Sequence, residues 1–276
     1  MDSLTMPGAR RGDRAVVAHF FGDFTLRVSG SSVDRWHAGK ARDLFQYLLV
    51  NRGRVVRREK LFEVLWPGHA WTPTASSLKV AIHSLRRILG DAVAPLVQIV
   101  SRDQGYLLNA PDVWLDIDEF DLSMAAGRAA EAHGEDAGAL TAYRRVADLY
   151  SGDFLAAQTA DWVDEQRQCY RAFALHALTW LRTHALREHD HPKIIDLCRR
   201  VLDIDPYHEE MYQTLMVIHG RRGELGQVRE WYRLCTRRLL DNLDLAPTAA
   251  TERIFTTAVR GELRPAATSV LGAAPV

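Results

Sequence analysis

The residues best suited to bind a charged ligand fall within one stretch, TASSLKVAIHSLRRILG, residues 74–90. This stretch carries Lys79, Arg86 and Arg87, and the first acidic residue that follows is Asp91. Exposed helices usually mix acidic and basic residues, because opposite charges three or four residues apart attract each other. A basic, hydroxyl-bearing helix without an acid therefore indicates either a solvated basic face or a surface that lies against something negatively charged.

At about 100° per residue, the stretch forms an amphipathic helix with one apolar stripe. The residues of the stripe, which would pack on neighbouring helices, are Ala75, Leu78, Ala81, Ile82, Leu85, Ile88 and Leu89. The opposite face and its flanks carry Ser76, Lys79, Val80, His83, Arg86 and Arg87. Arginine presents a fork of N–H donors that fits guanine edges and phosphates, and a valine can contact the thymine methyl group. This face therefore has the chemistry of a contact in the DNA major groove.

The preceding elements must position this helix. Residues 16–36 hold short β-branched and aromatic runs between turn residues, which predicts two or three antiparallel strands. GKARDLFQYLLVNRG predicts a helix that ends before Gly53, and after a short RVV segment RREKLFEVLWPG predicts a second helix closed by Pro67 and Gly68. The basic helix comes third, with Thr72 as its N-cap and Pro73 in its first turn.

A hairpin is predicted after the third helix by LVQIVSRDQGYLL, residues 96–108, with its turn at RDQG. Strands, three helices and a hairpin in this order predict a winged helix-turn-helix. In that fold the third helix lies in the major groove, and the hairpin, called the wing, touches the DNA backbone. The order of the elements therefore favours DNA binding over a merely solvated basic face.

Charge is distributed unevenly along the 276 residues, although the net charge is zero. Residues 1–112 contain 16 basic and 10 acidic residues, a net charge of +6, and residues 113–276 contain 19 and 25, a net charge of −6. A hydrophobic content of 47% is typical of globular proteins, and the length allows two domains with separate cores. We therefore expect a basic and an acidic domain that serve different partners.

Helical periodicity replaces strand signals from Trp114 onward, to about Gly261. Residues 189–202, HDHPKIIDLCRRVL, align with residues 223–236, GELGQVREWYRLCT, at an offset of 34 residues, which is the period of tetratricopeptide helix pairs. Residues 134–150 repeat the pattern and again open with a turn of glycine and an acid. The second half is therefore predicted to be all-α and tetratricopeptide-like, with about three helix pairs.

Other candidate sites lack part of their pattern, so we expect no enzyme activity, no metal and no cofactor. The histidines His184, His189 and His191 are accompanied by no cysteine or carboxylate pair, and HEEMY has Tyr212 where a second zinc ligand would stand. Neither a phosphate loop nor a GxSxG motif occurs. The aromatic residues of the second half recur at helical spacing, which is typical of a core.

Targeting and redox features predict a cytoplasmic protein that does not bind membranes. The three cysteines Cys169, Cys198 and Cys235 are odd in number and far apart, which predicts reduced thiols. No apolar run approaches the length of a membrane span, and the N-terminal residues lack the apolar core of a signal peptide.

Several segments, in order, resemble one known family. RGRVVRREKLFEVLW, SSLKVAIHSLRRILG and GYLLN look like the winged helix of bacterial response-regulator output domains, whereas VWLDIDEFD and the run ending LLDNLDLAPTAATERIF look like the bacterial transcriptional activation domain. Over about residues 18–262 the chain thus resembles the Streptomyces antibiotic regulatory protein (SARP) family. The resemblance implies a transcriptional activator that binds direct repeats in promoter DNA and recruits RNA polymerase. Because no nucleotide-binding domain follows, it also implies a small, stand-alone form.

The expected architecture is mainly α with a small β component. A winged helix-turn-helix at residues 16–112 precedes an all-α, tetratricopeptide-like activation domain at residues 113–262, and disordered tails are expected at residues 1–15 and 263–276. We expect residues 1–112 to bind DNA weakly on their own, and the acidic half to be needed for activation.

The DNA-binding candidates combine the exposed helix face with positions that the resemblance indicates. On or beside the recognition helix these are Thr74, Ser76, Ser77, Lys79, Val80, His83, Arg86 and Arg87. The wing contributes Arg102 and Tyr106, and helix starts that approach phosphates contribute Lys40, Arg57 and Arg58. His83 and Ser84 stand where the response-regulator relatives often carry arginine, which affects the base preference rather than the mode of binding.

Two functions from different classes remain. The first is an activator whose partners are double-stranded promoter DNA, RNA polymerase holoenzyme and a second copy of the chain on tandem repeats. The alternative is a tetratricopeptide-like module that senses a small molecule or a protein and acts as a regulator or repressor through the same DNA-binding domain. A pure adaptor would not need a basic front half or a basic wing, which favours the activator.

Overall fold

The computed structural model describes residues 15–34, 36, 40–72, 76–93 and 95–263. The strands are β1 (Val16–His19), β2 (Thr25–Val28), β3 (Ser31–Ser32), β4 (Val55–Arg57), β5 (Gln98–Arg102), β6 (Gly105–Asn109) and β7 (Val113–Leu115). The helices are α1 (Ala41–Val50), α2 (Arg58–Leu65), α3 (Ser77–Val93), α4 (Asp116–Ala132), α5 (Asp136–Leu149), α6 (Asp161–Arg187), α7 (His191–Ile204), α8 (Glu209–Arg221), α9 (Leu225–Leu243) and α10 (Ala249–Val259). The predicted tails lie outside the described residues except for Ala15 and Leu263.

The chain forms two compact units. Unit 1 comprises Met1–Ala125 and Asp148–Tyr170, and unit 2 comprises Ala126–Ala147 and Arg171–Val276. Unit 1 therefore includes the first residues of α4 and residues 148–170 in addition to the N-terminal elements. The domain boundary predicted from the sequence lies after residue 112. No helix in the described part of the chain is long and apolar enough to cross a membrane.

The first sheet of unit 1 has the strand order β3-β2-β1-β7. Strands β1, β2 and β3 pair antiparallel, as predicted for residues 16–36. Strand β7 pairs in parallel with β1, Val17 lying opposite Trp114. The expectation that strand signals end before Trp114 is therefore wrong, because a three-residue strand is too short to show alternation and its partner lies far away in the sequence.

The second sheet, in the order β4-β6-β5, contains the wing. Strands β5 and β6 form the predicted antiparallel hairpin, with Arg102 opposite Gly105 at its turn. Strand β4 is the predicted RVV segment, and it pairs with β6. Gly105 is required there, because a Cβ atom would lie 2.0 Å from the carbonyl oxygen of Val56.

Helix α3, which corresponds to the predicted recognition helix, begins later than predicted. The amide of Val80 donates to the carbonyl of Ser76, 2.9 Å away, so Ser76 accepts the first helical hydrogen bond. Thr72 lies outside the helix and is not its N-cap, and Pro73 lies outside the described residues. Serine is a favoured residue at the start of a helix, so the helix begins at the Ser-Ser pair, residues 76–77, rather than at the predicted Thr-Pro pair. Its regular geometry ends at Gly90, as predicted, since that residue has a φ of 59°.

The apolar stripe of α3 is confirmed. Its buried residues are Leu78, Ala81, Ile82, Leu85 and Leu89. Ile88 is half-buried, and Ala75 lies outside the described residues. Helix α3 packs mainly against α1 and also contacts α2, so the three helices share one core.

We expect Leu85→Ala to be a folding variant rather than a binding variant. Leu85 is fully buried, and truncating a buried leucine typically costs about 2–5 kcal/mol of unfolding free energy. The matched control is Val80→Ala on the same helix, where the side chain is 60% exposed and the change should be within about 0.5 kcal/mol. Urea unfolding of both variants measures the difference, and equal midpoints would contradict the assignment of the buried face.

An aromatic cluster closes the core of unit 1 after β1. The Phe21 ring lies 5.0 Å from Phe120 and 5.2 Å from Tyr170, and the Phe20 ring stacks on Phe154 at 5.7 Å. An isolated β-bridge between Phe21 and Phe154 joins the same segments. Residues far apart in the sequence therefore complete the core that begins in the N-terminal strands.

A buried carboxylate fixes the chain at the same place. Asp116 is 2% exposed, and it accepts hydrogen bonds from the backbone amides of Phe20, Phe21 and Ile117 at 2.9–3.0 Å. These bonds satisfy amides that would otherwise be buried without partners. They connect the end of β1 to the start of α4.

Unit 2 consists of helices, as predicted. Helix α8 packs against α7, α9 and α10, and an apolar cluster of Met216, Val228 and Ala258 joins α8, α9 and α10. The turns before α5, α7 and α9 each contain a residue with positive φ, namely Gly134 at 72°, His189 at 56° and Gly223 at 72°. His189 and Gly223 are 34 residues apart, so the predicted correspondence of these two turns is confirmed.

Candidate nucleic-acid interface

The face of α3 opposite its apolar stripe is open to solvent. Lys79, Val80, His83 and Arg87 are all exposed, and Ser76 is exposed just before the helix. Within the described residues, the side chains of Lys79, His83 and Arg87 form no hydrogen bond or ion pair. These three side chains can therefore bind a ligand without first breaking a contact in the protein.

Arg86, also a predicted recognition residue, contacts the wing instead. Its guanidinium donates to the carbonyl of Ile99 at 2.8 Å and approaches the Ser101 hydroxyl at 3.4 Å. Both acceptors belong to β5. Arg86 therefore joins α3 to the wing, and its donors are only partly available to a ligand.

Arg58 has a similar position on the other side of the hairpin. Arg58 is the first residue of α2, and its guanidinium donates to the carbonyls of Asp103 and Arg102 at the turn of the wing. It also lies over the ring of Tyr106, 5.6 Å from the centroid. Tyr106, a residue of β6, is only 6% exposed, so we leave it out of the interface proposed below.

A polar cleft of about 630 Å³ lies between the starts of α2 and α3 and the turn of the wing. It brings together four of the predicted residues, Arg57, Arg58, Lys79 and Tyr106. Its other lining residues are Glu59, Trp71, Asp103 and Gln104. Sequence reasoning did not select Trp71 and Gln104, although Gln104 stands in the predicted turn and Trp71 just before the predicted start of the third helix.

The remaining predicted residues are placed differently. Arg102 is exposed at the end of β5, and Ser77 is half-buried in the first turn of α3. Lys40 precedes α1 and pairs with Asp43 at 3.3 Å, and it does not line the cleft. Thr74 lies outside the described residues.

Charge and shape at this surface suit a polyanion. The surface of α3 has no acidic side chain between Ser76 and Gly90, and Arg57 and Arg102 add exposed positive charge beside it. The regular part of α3 before Gly90, residues 77–89, is about 20 Å long, which fits along a major groove. The described residues contain no cluster of three or more side chains that could hold a metal ion.

Two family models match the chain in succession. The model described as transcriptional regulatory protein, C terminal, matches residues 37–108. The model described as bacterial transcriptional activator domain matches residues 115–258, just over half of the chain.

Known regulators are similar to this chain over much of its length. Regulatory protein AfsR of Streptomyces griseus is 23% identical over 206 residues, which are 75% of this chain but only 21% of AfsR. Regulatory protein DnrI of Streptomyces peucetius is 24% identical over 251 residues, 88% of this chain and 92% of DnrI. The chain thus spans about a fifth of the first relative and most of the second.

One solved structure has the same fold. It is Mycobacterium tuberculosis EmbR in complex with a low affinity phosphopeptide, and it aligns with a TM-score of 0.63 at 19% identity, covering 92% of this chain and 66% of that one. The predicted fold class is therefore confirmed. Matches to both models, in the predicted order and together with these relatives, show that the chain belongs to the bacterial transcriptional activator domain family, within the SARP group of transcriptional regulators.

Proposed function

We propose that the protein is a sequence-specific transcriptional activator that binds direct repeats in double-stranded promoter DNA and recruits RNA polymerase. The observation that carries this proposal is the exposed face of α3. There, Lys79, His83 and Arg87 are exposed and have no side-chain partner among the described residues. Cationic or hydrogen-bonding side chains held on a rigid helix are suited to bind phosphates and base edges.

Different residues of the interface are assigned different roles. Arg87 and His83 lie on the outer face of α3, where a side chain in the major groove reaches base edges, and Val80 can contact a thymine methyl group. Lys79, Arg57 and Arg102 lie around the cleft and beside the wing, where they would neutralise phosphates. Ser76 and Ser77 can donate to a phosphate near the start of the helix.

Arg58 and Arg86 are assigned the role of positioning the wing. Both guanidiniums donate to backbone carbonyls of the hairpin, one at its turn and one along β5. A flexible hairpin would lose conformational entropy on binding DNA, and a hairpin fixed in advance avoids that cost. These two residues therefore support the interface through protein contacts.

We assign the contact with RNA polymerase to the helical part of the chain. Residues 113–276 carry a net charge of −6, and unit 2 has exposed acids such as Asp196 and Asp203 on α7 and Glu135 just before α5. An array of helix pairs offers a broad surface, and its charge complements basic segments of a partner. A second copy bound to an adjacent repeat would add affinity through effective concentration.

The alternative function, a sensor that acts through the same DNA-binding part, is supported by one observation. Unit 2 contains a cleft with an apolar floor and a basic rim, lined by residues of α6, α7, α8 and α10. In this alternative, a ligand bound in the cleft changes the effect of the DNA-bound protein on transcription. The two functions are compatible, because they use separate surfaces.

A footprint with and without polymerase tests the proposed function. The full chain is used to select an operator from a random duplex pool, and single and paired copies of the operator are then footprinted. We expect paired sites to bind more tightly than one site, and RNA polymerase holoenzyme to bind and transcribe the promoter better when the protein is present. Selection of no preferred sequence would contradict specific DNA binding. Operator binding with no change in polymerase occupancy would indicate a repressor or a sensor.

A further inference from the structure

Unit 2 contains a cleft of about 350 Å³ between the end of α6, the start of α7, α8 and α10. Its apolar lining includes Ile194, Val217, Ile218 and Ile254. This volume lies at the lower end of the range for small-molecule sites, which typically combine apolar walls with a few polar groups. The DNA-binding function does not use this cleft.

The polar side chains that α8 contributes to the cleft already form hydrogen bonds within the protein. Arg182 is 4% exposed, and it donates to the hydroxyl of Thr214 at 2.9 Å and to the carboxylate of Glu210. The amide nitrogen of Gln213 donates to the buried hydroxyl of Thr251, 2.9 Å away. The negative charge of Glu210 is therefore compensated within the protein, and the wall does not have to reorganise to accept a ligand.

The basic groups at the rim, in contrast, have no side-chain partner among the residues that the structure describes. Arg221 at the end of α8 lines the cleft, and its guanidinium forms no hydrogen bond or ion pair within residues that the structure describes. The imidazoles of His189 and His191 also line the cleft, and neither ring has a hydrogen-bonding partner there. An apolar floor thus lies beside one uncompensated positive charge and two further ring N–H groups.

We propose that this cleft binds a small organic anion with an apolar body, such as an aliphatic carboxylate. The body would pack against Ile218 and Ile254, and the carboxylate would accept charge-assisted hydrogen bonds from Arg221. A neutral molecule of the same shape forgoes these bonds, and a cationic one is repelled. The charge and the volume of the cleft together define this ligand class.

Calorimetry with octanoate on the full chain, without DNA, tests the proposal. We expect one molecule to bind per chain, and 1-octanol to bind at least about tenfold more weakly, since a charge-assisted hydrogen bond is worth about that factor. Arg221→Gln should weaken octanoate binding by about tenfold. The matched control is Arg237→Gln, an exposed position on α9 outside the cleft, which should leave the affinity unchanged.

A second variant tests the apolar body of the site. Val217→Trp places a large side chain at a half-buried lining position, and it should abolish octanoate binding while circular dichroism shows an intact helical fold. Three results would each overturn the proposal: no octanoate binding at millimolar concentration, equal affinity for 1-octanol, or unchanged affinity in Arg221→Gln. None of these results bears on DNA binding, because the experiment contains no DNA.

Discussion

A fragment of residues 1–112 is expected not to fold, whereas a fragment of residues 1–178 should contain a cooperatively folded winged helix. The shorter fragment lacks β7, Asp116 and the aromatic residues that cover Phe20 and Phe21. The longer one retains all of unit 1 and two further turns of α6. This expectation replaces the one drawn from the sequence, that residues 1–112 bind DNA weakly on their own.

The fragment of residues 1–112 is expected to lose two contributions to its free energy of unfolding. Burying a phenylalanine is worth about 1.5–3 kcal/mol, and Phe20 and Phe21 would both lose their partners. The amides that donate to Asp116 would also lose their acceptor, at a cost of about 1–3 kcal/mol for each one left buried. The sum is comparable to the whole stability of a small domain, which is about 5–15 kcal/mol.

Urea unfolding followed by circular dichroism, together with amide shift dispersion in an NMR spectrum, distinguishes the two fragments. We expect a cooperative transition for residues 1–178 and none for residues 1–112. The full chain serves as the reference for the native signal. A shorter fragment that unfolds cooperatively and binds a single operator site as tightly as the full chain would show that residues beyond 112 are dispensable for the winged helix.

The sequence predicted well those features that depend on local periodicity. The burial of Leu85 and the exposure of His83 and Arg87 follow from their spacing at 3.6 residues per turn, and the structure confirms them. The hairpin followed from two β-type runs on either side of a turn. In each case the signal lies within one short stretch of the chain.

Features that depend on distant residues could not be predicted in this way. Arg58 contacts a turn 45 residues ahead of it, and Arg86 contacts a strand 13 residues ahead, so neither contact appears as a periodicity. For the same reason, both arginines were expected from the sequence to contact DNA. Tyr106 is buried because β6 lies between β4 and β5, and the order of strands in a sheet cannot be read from one hairpin alone.

The triple variant Lys79→Ala, His83→Ala and Arg87→Ala is expected to lose operator affinity by about 100-fold or more. A good contact to a base edge is worth about 1–3 kcal/mol, so the loss of even two such contacts reaches this range. The three side chains are exposed and have no partner in the described part of the chain, so unfolding by urea should be unchanged. Arg86 is left out of the variant because its contact with Ile99 would couple DNA affinity to the position of the wing.

A control of equal charge separates specific contacts from a general change in charge. The double variant Arg229→Ala and Arg237→Ala removes two cations from exposed positions on α9, as the triple variant removes Lys79 and Arg87 from α3. Fluorescence anisotropy on the operator and on a random duplex, over a range of salt concentrations, measures both variants. We expect the control to bind the operator nearly as tightly as the wild type.

The single variants then assign the roles of individual side chains. If Arg87 contacts bases, Arg87→Ala should weaken operator binding much more than binding to the random duplex. If Lys79 contacts a phosphate, Lys79→Ala should weaken both and reduce the slope of log K against log salt by about 0.9. Arg86→Ala should lower both the unfolding free energy and the operator affinity, because it frees the wing. A triple variant that binds its operator as tightly as the wild type would show that the exposed face of α3 does not contact the operator, and α3 would then not be the recognition helix.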